Sequence, residues 1–410
     1  MRISYLFALS LLLFLPISSS AEELLKLERN QKLSLSEVVS QAVSRNPKQQ
    51  ILKASSGIVD ARNLQASSLL PAAPAVTLGH QNDIIGSNRN LNQWEVGLEL
   101  PVWMPGQRVA RESIARGAKN EWKSSRNSLA LEIAGQVRDA LWGINMISGD
   151  VELAESQYKT AQALQSDVEK RWKAGELAKT DVMMAENIIL VAKTTLLSVQ
   201  AELTHAEHRY WMLTGLKELP KSFEESLNQK QSIDESHPWL AEVNAKIEVA
   251  NGQRDLTRIE RRENPQVLIN ARRERGAFDN LYNDSVGVSI RVPLDAQVRS
   301  APMLANAEMD IAQAMSEREQ RRLLLESTFH EAEHNLETIR SQITLVEQRY
   351  NLSQNGLQLA KKSFSLGESD LVSLLRSQSI AYEAERSLKS LRTQQQWNIA
   401  RYNQSIGVLP

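Results

Sequence analysis

The chain has 410 residues, 48 basic and 49 acidic side chains, and no cysteine. The near-neutral balance gives no reason to expect a nucleic-acid partner, which favours a basic stripe, and the missing cysteine excludes disulfides, thiolate metal sites, a cysteine nucleophile and a lipidated N-terminal cysteine. Only 5% of residues are aromatic, low for a compact enzyme core, while Gln, Ser, Ala, Leu and charged residues dominate, as in long exposed helices.

Residues 1–21 have the layout of a cleaved export signal. Arg2 supplies the positive start, Leu6 to Ile17 form an apolar run, and Ser18-Ser19-Ser20-Ala21 offers small residues for cleavage. That run of about a dozen residues is too short to span ~30 Å of hydrocarbon as a helix. No later segment has 18 consecutive apolar residues, so a membrane-bound form is expected to enter the bilayer as strands.

Residues 22–216 read as one structural unit: a helix, a β-hairpin over 76–100 and a helical hairpin over 106–216. In the β-hairpin, Trp94, Val96, Leu98 and Leu100 alternate with Glu95, Gly97 and Glu99, the period of a strand with two unlike faces. Val76 to His80 is the weaker partner. No proline occurs between Pro105 and Pro220, and the stretch is rich in helix formers broken at Lys173-Ala174-Gly175-Glu176. A helix from Gln107 to Trp172 would be about 100 Å long at ~1.5 Å per residue, far more than a globular domain needs. Residues 217–236 are a polar linker.

Residues 237–410 repeat the pattern: a helix, a β-hairpin over 266–292 and a helical hairpin over 302–409 broken at Ser365-Leu366-Gly367-Glu368. Val286, Val288, Ile290 and Val292 alternate with Gly287, Ser289 and Arg291. An offset of 192 residues superimposes Leu98-Glu99-Leu100-Pro101 on Ile290-Arg291-Val292-Pro293, Gly175-Glu176 on Gly367-Glu368, and Arg209-Tyr210 on Arg401-Tyr402. Two hairpins give four strands, too few to close a barrel, and open edges are not tolerated in lipid. If the strands enter a membrane, several chains share one barrel, with apolar side chains outward and Glu95, Glu99 and Arg291 toward a wet interior. A soluble sandwich with one solvated face is the competing arrangement.

The layout resembles the TolC family of outer-membrane efflux proteins. The resemblance rests on Val96-Gly97-Leu98-Glu99-Leu100-Pro101, its partner Val288 to Pro293, and the turn Trp172 to Val182. The second turn, Phe364 to Leu375, matches less well. The resemblance implies a mainly helical fold with a membrane β-barrel: long helical hairpins form a periplasmic tunnel, and four strands per subunit contribute to a shared 12-stranded barrel in a homotrimer. It implies an outer-membrane location in a Gram-negative bacterium, with a passive export duct docked by a periplasmic adaptor (membrane fusion) protein. An inner-membrane pump, RND-type, would feed the duct. Relatives of this length often serve metal-ion or drug pumps. No cofactor, catalytic residue or nucleic-acid partner is implied. The turns would lie at the periplasmic tip and meet the adaptor: Gly175 and Gly367 hold each bend, beside Glu176 and Glu368. Asp181 either caps the returning helix or pairs with a neighbouring hairpin. Ser373 and Arg376 are the candidate gate. They stand where some relatives carry lumen carboxylates, and Arg376 either pairs with an acidic neighbour or faces solvent.

Two other readings compete. His330-Glu331-Ala332-Glu333-His334 matches H-E-x-x-H, with His330 and His334 on one helical face and Glu331 as a possible base. It lies in a polar, proline-free helix, and its counterpart at Arg138 to Trp142 keeps no ligand pair, so a solvated face is the stronger reading. His205 and His208 form a similar pair. A soluble periplasmic coiled-coil protein bridging two membranes without conduction is the alternative of another class.

Overall fold

The computed structural model describes residues 27–295 and 297–410, so the expected export signal lies outside the described residues. The chain begins with β1 (Glu28–Asn30), α1 (Leu35–Arg45) and α2 (Lys48–Ser67). Ser34 caps α1 in a complete capping box: its hydroxyl accepts the Glu37 amide, and the Glu37 carboxylate accepts the Ser34 amide. The hairpin β2 (Ala75–Asn82) and β3 (Asn92–Pro101) follows, then α3 (Gln107–Lys173) and α4 (Lys179–Thr214). After β4 (Glu218–Pro220) the same order returns as α5 (Pro238–Ile259), β5 (Gln266–Arg275), β6 (Asn283–Arg291), α6 (Gln297–Ser365) and α7 (Leu371–Ser405).

The 67 residues of α3 and 69 of α6 make each helix about 100 Å long. Proline spacing alone would start the second long helix at Pro302, but α6 begins at Gln297 and carries Pro302 inside its second turn. A proline there forfeits one backbone hydrogen bond, which an end turn tolerates better than a helix centre. Side by side the long helices run α4–α3–α7–α6, which leaves α4 and α6 as edges. Their buried contacts are mostly small or branched side chains at heptad-like spacing: Val182, Ala185 and Ala192 on α4, and Leu325, Ala332 and Ile339 on α6.

The main core sits where α1, α3 and α4 meet the short parallel pair of β1 and β4. The linker crosses this level and is tied down by a buried guanidinium. Arg138, 2% exposed, gives Nε and Nη2 to the two carboxylate oxygens of Glu225 at 2.8 and 2.6 Å, and Nη1 to Gln404 at 2.5 Å. Three segments far apart in sequence are thereby fixed together. Phe223 beside this pair packs edge-on to Trp142 at 4.7 Å.

The four longer strands form one antiparallel sheet in the order β2–β3–β5–β6. The register aligns Val76, Leu98, Ile269 and Val288 in one row, and Leu78, Val96, Ala271 and Val286 in the next. On the opposite face, Thr77, Gly97, Asn270 and Gly287 form a row. The two glycines leave room there: a Cβ at Gly97 would strike Thr77 Oγ1, and one at Gly287 would strike Asn270 Oδ1. Asn270 uses that room to donate to Glu95 Oε1 at 2.8 Å. Both outer strands, β2 and β6, keep one unpaired edge within the chain.

Candidate functional site: the helical tip and the two-faced sheet

The bends that join α3 to α4 and α6 to α7 are built alike. Gly175 and Gly367 have φ of +83° and +76°, the left-handed conformation that costs a side-chain-bearing residue most. Nothing lies within 4 Å of where either Cβ would stand, so the glycine requirement is conformational and not steric. In the first bend the Gly175 amide donates to Trp172 O and the Glu176 amide to Arg171 O, both at 2.9 Å. In the second, Gly367 donates to Phe364 O at 3.1 Å and Glu368 to Ser363 O at 3.0 Å. Each bend is a Schellman motif that satisfies the last carbonyls of a very long helix.

The returning helices start differently. Asp181 is the third residue of α4, and its carboxylate accepts the Ala178 amide at 3.1 Å; Ala178 has no side-chain acceptor to offer the helix. In α7 the carboxylate stands three residues earlier. Asp370 is the N-cap and accepts the Ser373 amide at 2.8 Å; the Ser373 hydroxyl first and this amide second hold its carboxyl below the usual carboxylate range. The two repeats thus use opposite arms of a capping box. Sequence reasoning weighed Asp181 and passed over Asp370; the signal was an aspartate directly before an apolar helix start. Ser373 and Arg376 are both exposed on the first turns of α7.

The two bends are locked to each other. Leu164, Val168, Val182 and Ala185 of the first hairpin pack with Phe364, Leu371 and Leu374 of the second. Arg171 crosses between them: its guanidinium lies 4.7 Å from the Phe364 ring centre, donates to Phe364 O at 3.0 Å, and pairs with Glu176 at 3.0 Å. Glu176 therefore serves a contact inside the tip as well as facing solvent. Lys179 lies over the Trp172 ring at 4.5 Å. Arg171 was not singled out from sequence, because one arginine near a helix end carries no pattern.

His330 and His334 are exposed on α6, and the His330 ring reaches Glu333 only at 3.7 Å. Among the described residues no three His, Cys, Asp or Glu side chains gather as a metal site. His205 and His208 are likewise exposed on α4.

The sheet is the other candidate functional surface. One face exposes Val76, Leu78, Val96, Leu98, Ile269, Val286, Val288 and Ile290. The other presents Thr77, Glu95, Glu99, Asn270, Arg272 and Ser289. A sheet uncovered on its apolar face and polar on the other inverts the arrangement of a soluble protein.

Residues 231–408 match the family model described as Outer membrane efflux protein. Over the whole chain the structure is similar to the outer membrane protein VceC of Vibrio cholerae, with a TM-score of 0.72 at 16% identity, covering 91% of this chain and 96% of that one. It is similar to a membrane protein of Pseudomonas aeruginosa, with a TM-score of 0.71 at 15% identity, covering 94% and 92%. The open state of the MtrE outer membrane channel of Neisseria gonorrhoeae gives a TM-score of 0.67 at 16% identity, covering 91% and 88%. No curated protein sequence matches the chain significantly. The resemblance to the TolC family read from the sequence is borne out, as is the mainly helical fold class with long helices and one four-stranded sheet of longer strands.

Proposed function

Because residues 231–408 carry an outer membrane efflux protein domain and the whole chain has the fold of outer-membrane channels, we propose that this protein is the outer-membrane duct of a tripartite efflux system. Three copies share one barrel of twelve strands and extend a helical tunnel into the periplasm of a Gram-negative bacterium. The observation that carries the reading is the four-stranded sheet with a bare apolar face and two open edges. From Val292 to Val286 the apolar belt runs six residues, or about 20 Å along a strand at ~3.4 Å per residue. At a tilt of ~40° this is about 16 Å of membrane, and the row with Trp94 beyond it extends the belt toward the ~25 Å apolar band of outer-membrane barrels. Single-chain barrels begin at about eight strands, so four must be supplemented by other copies.

The helices support the same closure. On edge helix α4, Met183, Leu190 and Leu197 are exposed at seven-residue spacing; on edge helix α6, Leu345, Leu352 and Leu359 are exposed at the same spacing. Each is the seam of a coiled coil that lacks its partner, and the α4 of one copy meets the α6 of the next. This also accounts for the composition of α4, the one described helix long and apolar enough to cross a bilayer. It packs along α3, a polar helix that would have to cross with it.

The duct is passive, with energy from an inner-membrane pump of RND type and docking by a periplasmic adaptor. The docking surface is the pair of bends around Gly175, Glu176, Asp181, Gly367 and Glu368, supported by the exposure of the two glycines and two glutamates, with Asp181 half-buried beside them. Exposed Ser373 and Arg376 form the gate, and the cargo is metal ions or drugs, a choice that rests on resemblance in length alone. Fractionation followed by planar-bilayer recording tests the reading. Channels formed by protein that needs detergent for release support it. Release by osmotic shock with no conductance sinks it in favour of a soluble bridging protein.

A further inference from the structure

The apolar belt ends at the far end of the sheet, away from the helices, and the row that follows it is different. Along the outward face, His80, Trp94, Arg273 and Asp284 are aligned by the strand register. The next outward residue on β5 is Arg275, and Tyr282 follows Asp284 on the same face. Both guanidiniums lie over Tyr282, each 5.0 Å from its ring centre. Arg275 is further oriented by the neighbouring loop, with Nε donating to Asn90 O at 3.1 Å and Nη2 to Asn90 Oδ1 at 2.6 Å. Arg273 reaches Asp284 only at 3.8 Å, too long for a hydrogen bond. Trp94 stands beside Arg273, its ring in tilted contact with His80 at 4.0 Å between ring centres.

Two ordered guanidiniums at the upper border of a lipid-facing apolar belt call for an anion at that height. Alternate strand residues are ~6.8 Å apart, so both forks can address the oxygens of one phosphate group. Arg275 spends two of its five N–H groups on Asn90 and keeps the rest for a ligand. A cation on the lipid face costs ~2–4 kcal/mol at mid-membrane and ~0–1 near the interface, so this height is where it is tolerated. Asp284 offsets one charge of the pair and leaves the face cationic. Tyr282 and Trp94 supply the apolar-and-polar rings that favour the same level.

We propose that Arg273 and Arg275, held by Tyr282, bind the phosphate of a phosphorylated lipid headgroup in the leaflet around the outer end of the barrel. This rests on the duct reading, which sets that end outward. The test is native mass spectrometry of the detergent-extracted full chain with diphosphorylated lipid A, with its dephosphorylated form, and with inorganic phosphate as competitor. The diphosphorylated form should be retained at least tenfold better than the dephosphorylated one. The R273Q/R275Q pair should lose that preference, the R273K/R275K pair should keep part of it, and millimolar phosphate should not displace the lipid. Equal retention of both lipid forms, or an unchanged preference in R273Q/R275Q, overturns the proposal. Displacement by inorganic phosphate overturns the lipid assignment in favour of a free-anion site. Bilayer insertion of each variant is scored in parallel. Failure of the parent chain to insert counts against the duct reading, whereas insertion without phosphate preference counts against this inference alone.

Discussion

Gly367 illustrates what a single residue contributes at the tip. Its φ of +76° closes a Schellman bend in open space, so alanine would meet no neighbour and still pay the left-handed penalty of about 1–2 kcal/mol. Gly367→Ala should loosen the bend between α6 and α7, seen as faster amide exchange at 366–370 with the rest of the chain unchanged. Arg138 belongs to the opposite regime. It is 2% exposed and its partner Glu225 is 12% exposed, so Arg138→Ala would strand a buried carboxylate and cost about 3–5 kcal/mol. Thermal melts should show that loss, and replacing Arg138 and Glu225 together by Met and Leu should recover most of it.

His237 caps α5 by accepting the Trp239 amide at Nδ1 (3.2 Å), and burial pushes its pKa down to about 4. The folded value lies below the usual 6.5, so the unfolded state binds the extra proton and stability falls as pH drops from about 6.5 toward 4. At ~1.4 kcal/mol per unit this reaches on the order of 3 kcal/mol. Exchange of the Trp239 amide should accelerate over that window beyond its intrinsic pH dependence, and His237→Asn should abolish the effect while keeping a cap. Of these residues only the glycines were legible in the sequence, because a break in a long helical pattern marks them. Arg138 and His237 owe their roles to contacts across more than 80 residues or to burial, which local patterns do not encode.

At the scale of elements, duplication made the order of strands and helices readable. An offset of 192 aligns the ends of α3 and α6 at Lys173 and Ser365, and both bends. Alternation found the strongly two-faced strands β3 and β6, and the weaker β2 and β5 joined them through register. The asymmetry between repeats was less visible. The caps at Asp181 and Asp370 differ by three positions, and the lock between bends depends on Arg171 meeting Phe364 from a different hairpin. That stacking is worth ~0.5–1 kcal/mol at a partly exposed site. Arg171→Ala should therefore leave the bulk fold intact and increase protease cutting between 362 and 371. Phe364→Ala, which empties the tip cluster, should cost about 3–5 kcal/mol. Equal cutting of Arg171→Ala and parent would show that the bends hold without the guanidinium.

At the scale of the molecule, the chain is incomplete in two places at once. Its sheet has an unpaired edge on β2 and another on β6, and its helical wall ends in apolar heptads on α4 and α6. In the proposed duct both deficits are met by one operation, a ring of copies in which each edge meets the opposite edge of its neighbour. The expectation of several chains came from counting strands in the sequence; the heptads on the edge helices did not stand out there, because only the structure shows which apolar positions are buried and which are exposed. The absence of cysteine gives a clean background for probing the seam. The measurement that bears most directly on the central claim is the mass of the detergent-extracted native oligomer, with a Met183→Cys and Leu359→Cys pair to capture it by oxidation. The account predicts three chains per particle, with the cysteine pair linking chain to chain. A monodisperse monomer that still inserts into membranes would contradict it.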